Sequence, residues 1–151
     1  MCIRDRYNKV IKKPSNPKRS KYTFAGWYTD SKLTKAWDFN TKIKSGKTLY
    51  AKWKKISLKQ AVISKVQNVS GKKIKVTVKK VSGADGYQIQ YSTKSNMKSA
   101  KTVTSSKTTT TISKLSKGKK YYVRVKAYKK DSTGKKVAGK WSKVKNLKVS
   151  K

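Results

Sequence analysis

Residues 115–128 read LSKGKKYYVRVKAY, and no other stretch constrains the fold of this chain as tightly. Beyond Gly118, which supplies a turn, Tyr121, Val123, Val125 and Ala127 fall on one side of a two-residue repeat. Tyr122, Arg124, Lys126 and Tyr128 fall on the other. The pattern predicts a strand with one face in a core and an aromatic, cationic face toward solvent.

The surrounding residues supply partners for such a strand. Residues 61–66 read as a first strand, and Ile74, Val76 and Val78 alternate with Lys75, Thr77 and Lys79 in a second. Asp85-Gly86 turns into Tyr87, Ile89 and Tyr91, with Gln88 and Gln90 facing outward. Residues 99–104 and 108–113 are Thr-rich strands, a loop follows around 131–139, and residues 140–149 make a last strand through Val144, Leu147 and Val149. Short strands at near-regular spacing with turn signals between them predict a mainly β chain whose residues 60–150 form a seven-stranded, immunoglobulin-like β-sandwich. The spacing of Leu115, Gly118, Tyr121, Val123, Val125 and Ala127, with the run VSGADGYQI at 81–89, resembles a fibronectin type III domain, in the versions found in secreted proteins of Gram-positive gut bacteria. The resemblance implies that Tyr121 forms a structural tyrosine corner. It also implies a smaller core than usual, because Val78 stands where such domains carry a tryptophan.

Residues 10–53 form a separate pattern. Pro14 and Pro17 punctuate an extended entry, Tyr22, Phe24 and Gly26 alternate with Thr23, Ala25 and Trp27, and residues 28–30 begin a loop or short helical turn. Trp37 and Phe39 then bracket Asp38, Gly46 turns the chain, and residues 48–53 alternate again. The aromatic motifs YTFAGWY, WDFNT and LYAKW, in that order after PSNP, resemble the Listeria/Bacteroides repeat of internalin B, a small β-grasp-like unit of bacterial surface proteins. The repeat is incomplete at its start, and Lys21 occupies a place where the family often has glycine. Trp27, Trp37 and Trp53 are expected to be its structural core. Residues 54–59 read as a lysine-rich linker. Residues 1–9 are set aside as an artefact or a disordered start, since MCIRDR resembles translated sequencing-adapter text.

Charge limits the functional classes. The chain carries 42 Lys and Arg against 5 Asp and no Glu, a net charge of +37, with 16 basic and 3 acidic residues before Leu58 and 26 and 2 from there on. Both parts would attract polyanions. Only Arg4, Arg6, Arg19 and Arg124 are arginines, whereas base-edge and bidentate phosphate recognition favours the guanidinium fork, so specific nucleic-acid binding is not expected. The single cysteine, Cys2, gives neither a disulfide framework nor a thiolate zinc site. No apolar run approaches a membrane span, and the first residues lack the apolar core of a secretory signal.

With no histidine or glutamate, and with Asp5, Asp30, Asp38, Asp85 and Asp131 isolated from one another, neither a catalytic dyad nor a calcium cluster is visible. Two lysine-rich turns approach a phosphate-loop pattern and miss it: Trp141 follows Gly139-Lys140 where Ser or Thr is needed, and Thr41 stands at the first glycine place of the run ending in Lys47-Thr48. No Arg-Gly-Asp occurs in the loop before the last strand. The remaining candidate is the outer-face stripe Tyr122, Arg124, Lys126 and Tyr128, which could stack on sugars or bases; cross-strand packing on an exposed sheet explains the same stripe and is the favoured reading. The expectation is therefore a non-catalytic extracellular module of the cell envelope, a spacer or adhesion unit drawn to anionic wall polymer or glycan, with no cofactor and no metal. The alternatives are accessory C-terminal modules of a secreted hydrolase and a basic nucleic-acid-binding protein.

Overall fold

The structure is a computed structural model that describes residues 2–3 and 8–150. The chain divides into two compact units: Met1–Ile56 with Asp131–Lys135, and Ser57–Lys130 with Lys136–Lys151. Every regular element among the described residues is a strand, and none of them forms a helix long and apolar enough to cross a membrane.

The first unit holds β1 (Cys2–Ile3), β2 (Lys9–Val10), β3 (Tyr22–Tyr28), β4 (Lys42–Ile43), β5 (Lys47–Thr48) and β6 (Tyr50–Lys55). They pair antiparallel as β1 with β5, β2 with β4, and β3 with β6. Cys2–Ile3 and Lys9, within the residues set aside from the sequence, thus have strand partners. A bulge between Phe24 and Gly26 resets the register of β3 on β6, and Gly26 takes φ +123°, a conformation that suits a residue without Cβ.

Beyond that bulge Trp27 points into a cluster with Ile11, Ile43 and Leu49, against which Phe24, Trp37, Phe39 and Ala51 pack. The three expected core tryptophans therefore differ. Trp27 is buried, Trp37 is half-buried beside the cluster, and Trp53 is half-buried outside it, edge-on to Phe24 with centroids 5.6 Å apart. Trp53 stands opposite Phe24, on the far side of the bulge from Trp27, where the Arg19 guanidinium lies 6.0 Å from its ring. Lys54 and Lys55, expected in the linker, continue β6 opposite Thr23 and Tyr22. No helical turn follows Tyr28. Asp30 instead folds residues 30–35 into a loop by accepting the N–H groups of Thr34 and Lys35 and the Thr34 hydroxyl.

The second unit holds β7 (Ile63–Val69), β8 (Lys73–Val78), β9 (Gly86–Ser92), β10 (Lys101–Ser105), β11 (Thr109–Ile112), β12 (Lys120–Lys130), β13 (Lys136–Ala138) and β14 (Lys145–Lys148). One sheet runs β11-β8-β7, and the other runs β10-β9-β12, with β13 and β14 both pairing β12. The two sheets enclose a single core in which Ile74, Val76, Ile89, Val123, Val125, Ala127 and Val149 are fully buried, and Val78 is buried with them. This is an immunoglobulin-like β-sandwich. The last strand differs from expectation: of residues 140–149 only Lys145–Lys148 form a strand, β14, and β13 forms at Lys136–Ala138, inside the segment expected to be a loop.

The entrance to β12 is tied twice. Gly118, at φ +78°, donates its N–H to the Val149 carbonyl at 2.8 Å. The Tyr121 hydroxyl accepts the Ser116 N–H at 3.1 Å, which joins the loop to the strand five residues on.

Candidate functional site on the outer face of the sandwich

Ser142 lies within the break between β13 and β14. Val125, in the middle of β12, needs a partner for its N–H and carbonyl on the side between β13 and β14, and Ser142 supplies both halves. Its Oγ accepts the Val125 N–H at 3.0 Å, and its own N–H donates to the Val125 carbonyl at 2.7 Å. A side chain thus replaces one rung of the ladder, and the backbone polar groups remain satisfied. Farther back, Gly139 donates to the Ala127 carbonyl at 2.9 Å, and Gln60 Nε2 donates to the Trp141 carbonyl.

Held between these points, the Trp141 ring lies against the outer face of β12. The Arg124 guanidinium sits 4.6 Å from its centroid and Lys126 Nζ 4.5 Å, both within cation–π range. Arg124 is also fixed by Gln90 on β9, whose Oε1 accepts Nε at 2.9 Å and Nη2 at 2.8 Å. Lys120 lies 5.6 Å from the Tyr122 ring, and Lys136 lies 4.9 Å from the Tyr128 ring.

The structure brings Tyr122, Arg124 and Lys126 to one half-exposed face. Tyr128 shares that face by alternation but is buried. Its cross-strand neighbour is Gly86, whose missing side chain leaves room for the phenol, and Lys136 covers the ring. Trp141 was not marked as a site residue from sequence. The signal available was a tryptophan in a Gly- and Lys-rich segment that must pass beside a strand presenting Arg124 and Lys126. As arranged, the indole already engages two cations, so the face offers an ordered row of positive charge.

The described aspartates all organise backbone. The Lys35 N–H, followed by that of Thr34, lowers the Asp30 pKa to about 2. In the first unit, the Thr133 hydroxyl and then the Lys21 N–H lower Asp131 to about 2. Asp85 is lowered chiefly by the Lys130 N–H, with the Lys129 ammonium adding to it. Asp38 accepts the N–H and the side-chain amide of Asn40.

Residues 5–52 match the Listeria-Bacteroides repeat domain. Residues 63–140, 78 of the 151, match the fibronectin type III domain. The chain belongs to the fibronectin type III family. Its fibronectin type III domain follows the Listeria-Bacteroides repeat directly, and domains of these two kinds, generally non-catalytic, fit a surface or extracellular module. Over 48 residues the chain is 50% identical to an Evansella cellulosilytica protein bearing the name Gly-rich membrane protein, covering 31% of this chain and 6% of that one. A second protein of that organism, named as a membrane protein, is 47% identical over 45 residues, 29% of this chain and 7% of its own length. The chain therefore spans a small fraction of these relatives.

Among solved structures it is similar to the FN1–FN3 domains of chicken CNTN1, with a TM-score of 0.52 and 21% identity over 72% of this chain and 38% of that one. It is also similar to the sixth fibronectin type III domain from human fibronectin type III domain containing protein 3, with a TM-score of 0.51 and 19% identity over 64% of this chain and 90% of that one. At such identities the likeness is one of fold.

Proposed function

We propose that the chain is a non-catalytic extracellular module of the cell envelope, in which two β units act as spacers and hold themselves to anionic wall polymer or glycan through lysine. The observation that carries this reading is charge without internal neutralisation. The chain has 42 basic and 5 acidic residues, no described Lys or Arg is buried, and among the described residues the ion pair is Lys129 with Asp85 at 3.3 Å. Asp30, Asp38 and Asp131 spend their oxygens on backbone and neutral side chains. The cations therefore face outward and add to a long-range field of one sign. The outer face of β12 orders part of that field through Arg124, Lys126 and Trp141, and we include Tyr122 in the contact surface.

Retention of the protein on purified Gram-positive walls tests the reading. Retention should fall steeply as salt rises from about 0.1 M to about 1 M, where the screening length shrinks from ~10 Å to ~3 Å. Retention unchanged across that range would overturn it. Preference for nucleic acid over a wall polymer of matched charge would overturn the choice of partner.

A further inference from the structure

At the end of the sandwich where β9 leaves the sheet and β12 enters it, a cleft of about 210 Å³ is lined by Tyr91, Ser92, Lys94, Lys98, Lys101, Lys114, Leu115 and Tyr121, among other residues. The geometry points to this cleft as a binding site for one phosphoryl group carried on a short polyol or sugar stem. Lys94, Lys98, Lys101 and Lys114 would hold the phosphoryl group, and Tyr91 and Leu115 would cover the stem. The assignment rests on the polyanion attachment proposed above only for the source of the ligand.

Four observations converge on the cleft. First, its lysines come from two segments far apart in sequence. Pairing of β9 with β12 sets Tyr91 opposite Val123 and Ser92 opposite Tyr122, which brings the loop after β9 beside the turn before β12. Four cations thus share one concavity whose lining contains no carboxylate. An oxyanion entering the cleft would meet lysines from both segments and no like charge among the residues that line it.

Second, the loop is built rather than slack. Buried Ser92 accepts the Lys94 N–H at 3.1 Å and donates to the Lys98 carbonyl at 2.8 Å. Asn96 accepts the Lys98 N–H at 2.9 Å, and the Met97 side chain is buried. The stems of Lys94 and Lys98 therefore leave a fixed frame.

Third, three residues at or beside the cleft hold left-handed backbone without being glycine: Met97 at φ +60°, Ser99 at +55° and Lys114 at +58°. Such conformations cost energy and are retained where the surroundings determine them. Here each turns the chain at the rim of the lysine-lined concavity.

Fourth, size and chemistry select the ligand. The volume lies below the ~300 Å³ lower end of pockets for drug-sized molecules, so it admits one small group of a longer polymer. Lysine ammonium groups can hold a phosphoryl group as point charges, without the bidentate geometry that an arginine fork would impose. The floor is partly apolar: the Tyr91 and Tyr121 rings lie 6.3 Å apart and tilted by 48°, and Leu115 is buried beside them.

The experiment titrates the full chain with glycerol 3-phosphate while following backbone amide shifts, with acetate at equal ionic strength as the control anion. Shifts should saturate and concentrate on residues 91–101 and 114–116. Replacing Lys94, Lys98 and Lys101 together by Gln should weaken binding by about tenfold. The charge-matched replacement of Lys140, Lys143 and Lys145 by Gln should leave it nearly unchanged. Lys114→Gln, on the other segment, should weaken it in the same direction. Equal losses in the two triple variants, or equal shifts with acetate, would overturn the site. Cleft-dependent binding of short poly(glycerol phosphate) would assign the ligand to wall polymer, and cleft-dependent binding of phosphatidylglycerol vesicles would assign it to a lipid headgroup; either sustains the site. Salt-sensitive wall retention without localised glycerol 3-phosphate shifts would refute the cleft alone, whereas localised shifts with salt-insensitive retention would refute the attachment alone.

Discussion

Gly86 opens β9 at the point where two other elements come closest to its backbone. A Cβ added there would stand 2.6 Å from the Ser105 carbonyl oxygen, 2.8 Å from the Tyr128 hydroxyl and 3.0 Å from Tyr128 Cε1. The Tyr128 ring can rotate or shift, but the Ser105 carbonyl belongs to β10, whose ladder partner at that end is Tyr87. Relief would require opening the β9–β10 pair by several tenths of an ångström. Gly86→Ala is therefore expected to destabilise the sandwich by about 2–3 kcal/mol, the upper part of the range for overpacking a well-filled core. For a unit of this size that corresponds to a fall in Tm of roughly 10–20 °C, measurable by calorimetry. Combining Gly86→Ala with Tyr128→Ala removes the ring and leaves the carbonyl, so the double variant should recover none of the loss. Parent-like stability of Gly86→Ala would refute the reasoning, and full rescue by the Tyr128 change would show that the ring, not the backbone, is the obstacle.

Tyr121→Phe deletes the hydroxyl that accepts the Ser116 N–H; denaturant unfolding should show a loss of about 1 kcal/mol. Lys21 sits at φ +65°, so Lys21→Gly should raise the stability of the first unit by about 1 kcal/mol in the same assay by removing a left-handed side-chain penalty. Asp30 and Asp131, with folded pKa values lowered to about 2, and Asp85, also lowered, contribute stability that is present above the unfolded carboxylate pKa of ~3.9. The unfolding temperature should hold from pH 7 to 5 and fall as the pH passes from about 4 toward 2, and Asp30→Asn should flatten that fall in the first unit.

The sandwich was legible because its strands carry a two-residue period that packing enforces: Val123, Val125 and Ala127 had one way to be buried together. Where the period stops, so did the foresight. Trp141 lies in an irregular segment whose course is set by the bonds of Ser142 to Val125, of Gly139 to Ala127 and of Gln60 to the Trp141 carbonyl, contacts between residues distant in sequence that leave no local pattern. Tyr128 obeys the alternation and is nonetheless buried, because its environment depends on Gly86 across the ladder and on Lys136 beyond the turn. Trp53 lies half-buried beside Phe24, outside the cluster around Trp27, for a similar reason: the bulge after Phe24 sets it apart from Trp27, and a bulge does not announce itself in an aromatic-rich run. The lysine cleft needed the pairing of β9 with β12 before its members could be seen as neighbours.

The serine-made interruption also bears on how copies of this domain can stand side by side. A sheet edge invites a strand from another molecule in proportion to the length of straight, unpaired backbone it displays. Here the edge beside β12 is divided into a three-residue piece that begins with Lys136 and a four-residue piece that begins with Lys145 and ends with Lys148, with Ser142 between them. Tandem copies crowded along a surface would find no continuous template for cross-molecule pairing on this side. The same hydroxyl that completes one ladder rung therefore shortens the straight edge on which a neighbouring copy could pair.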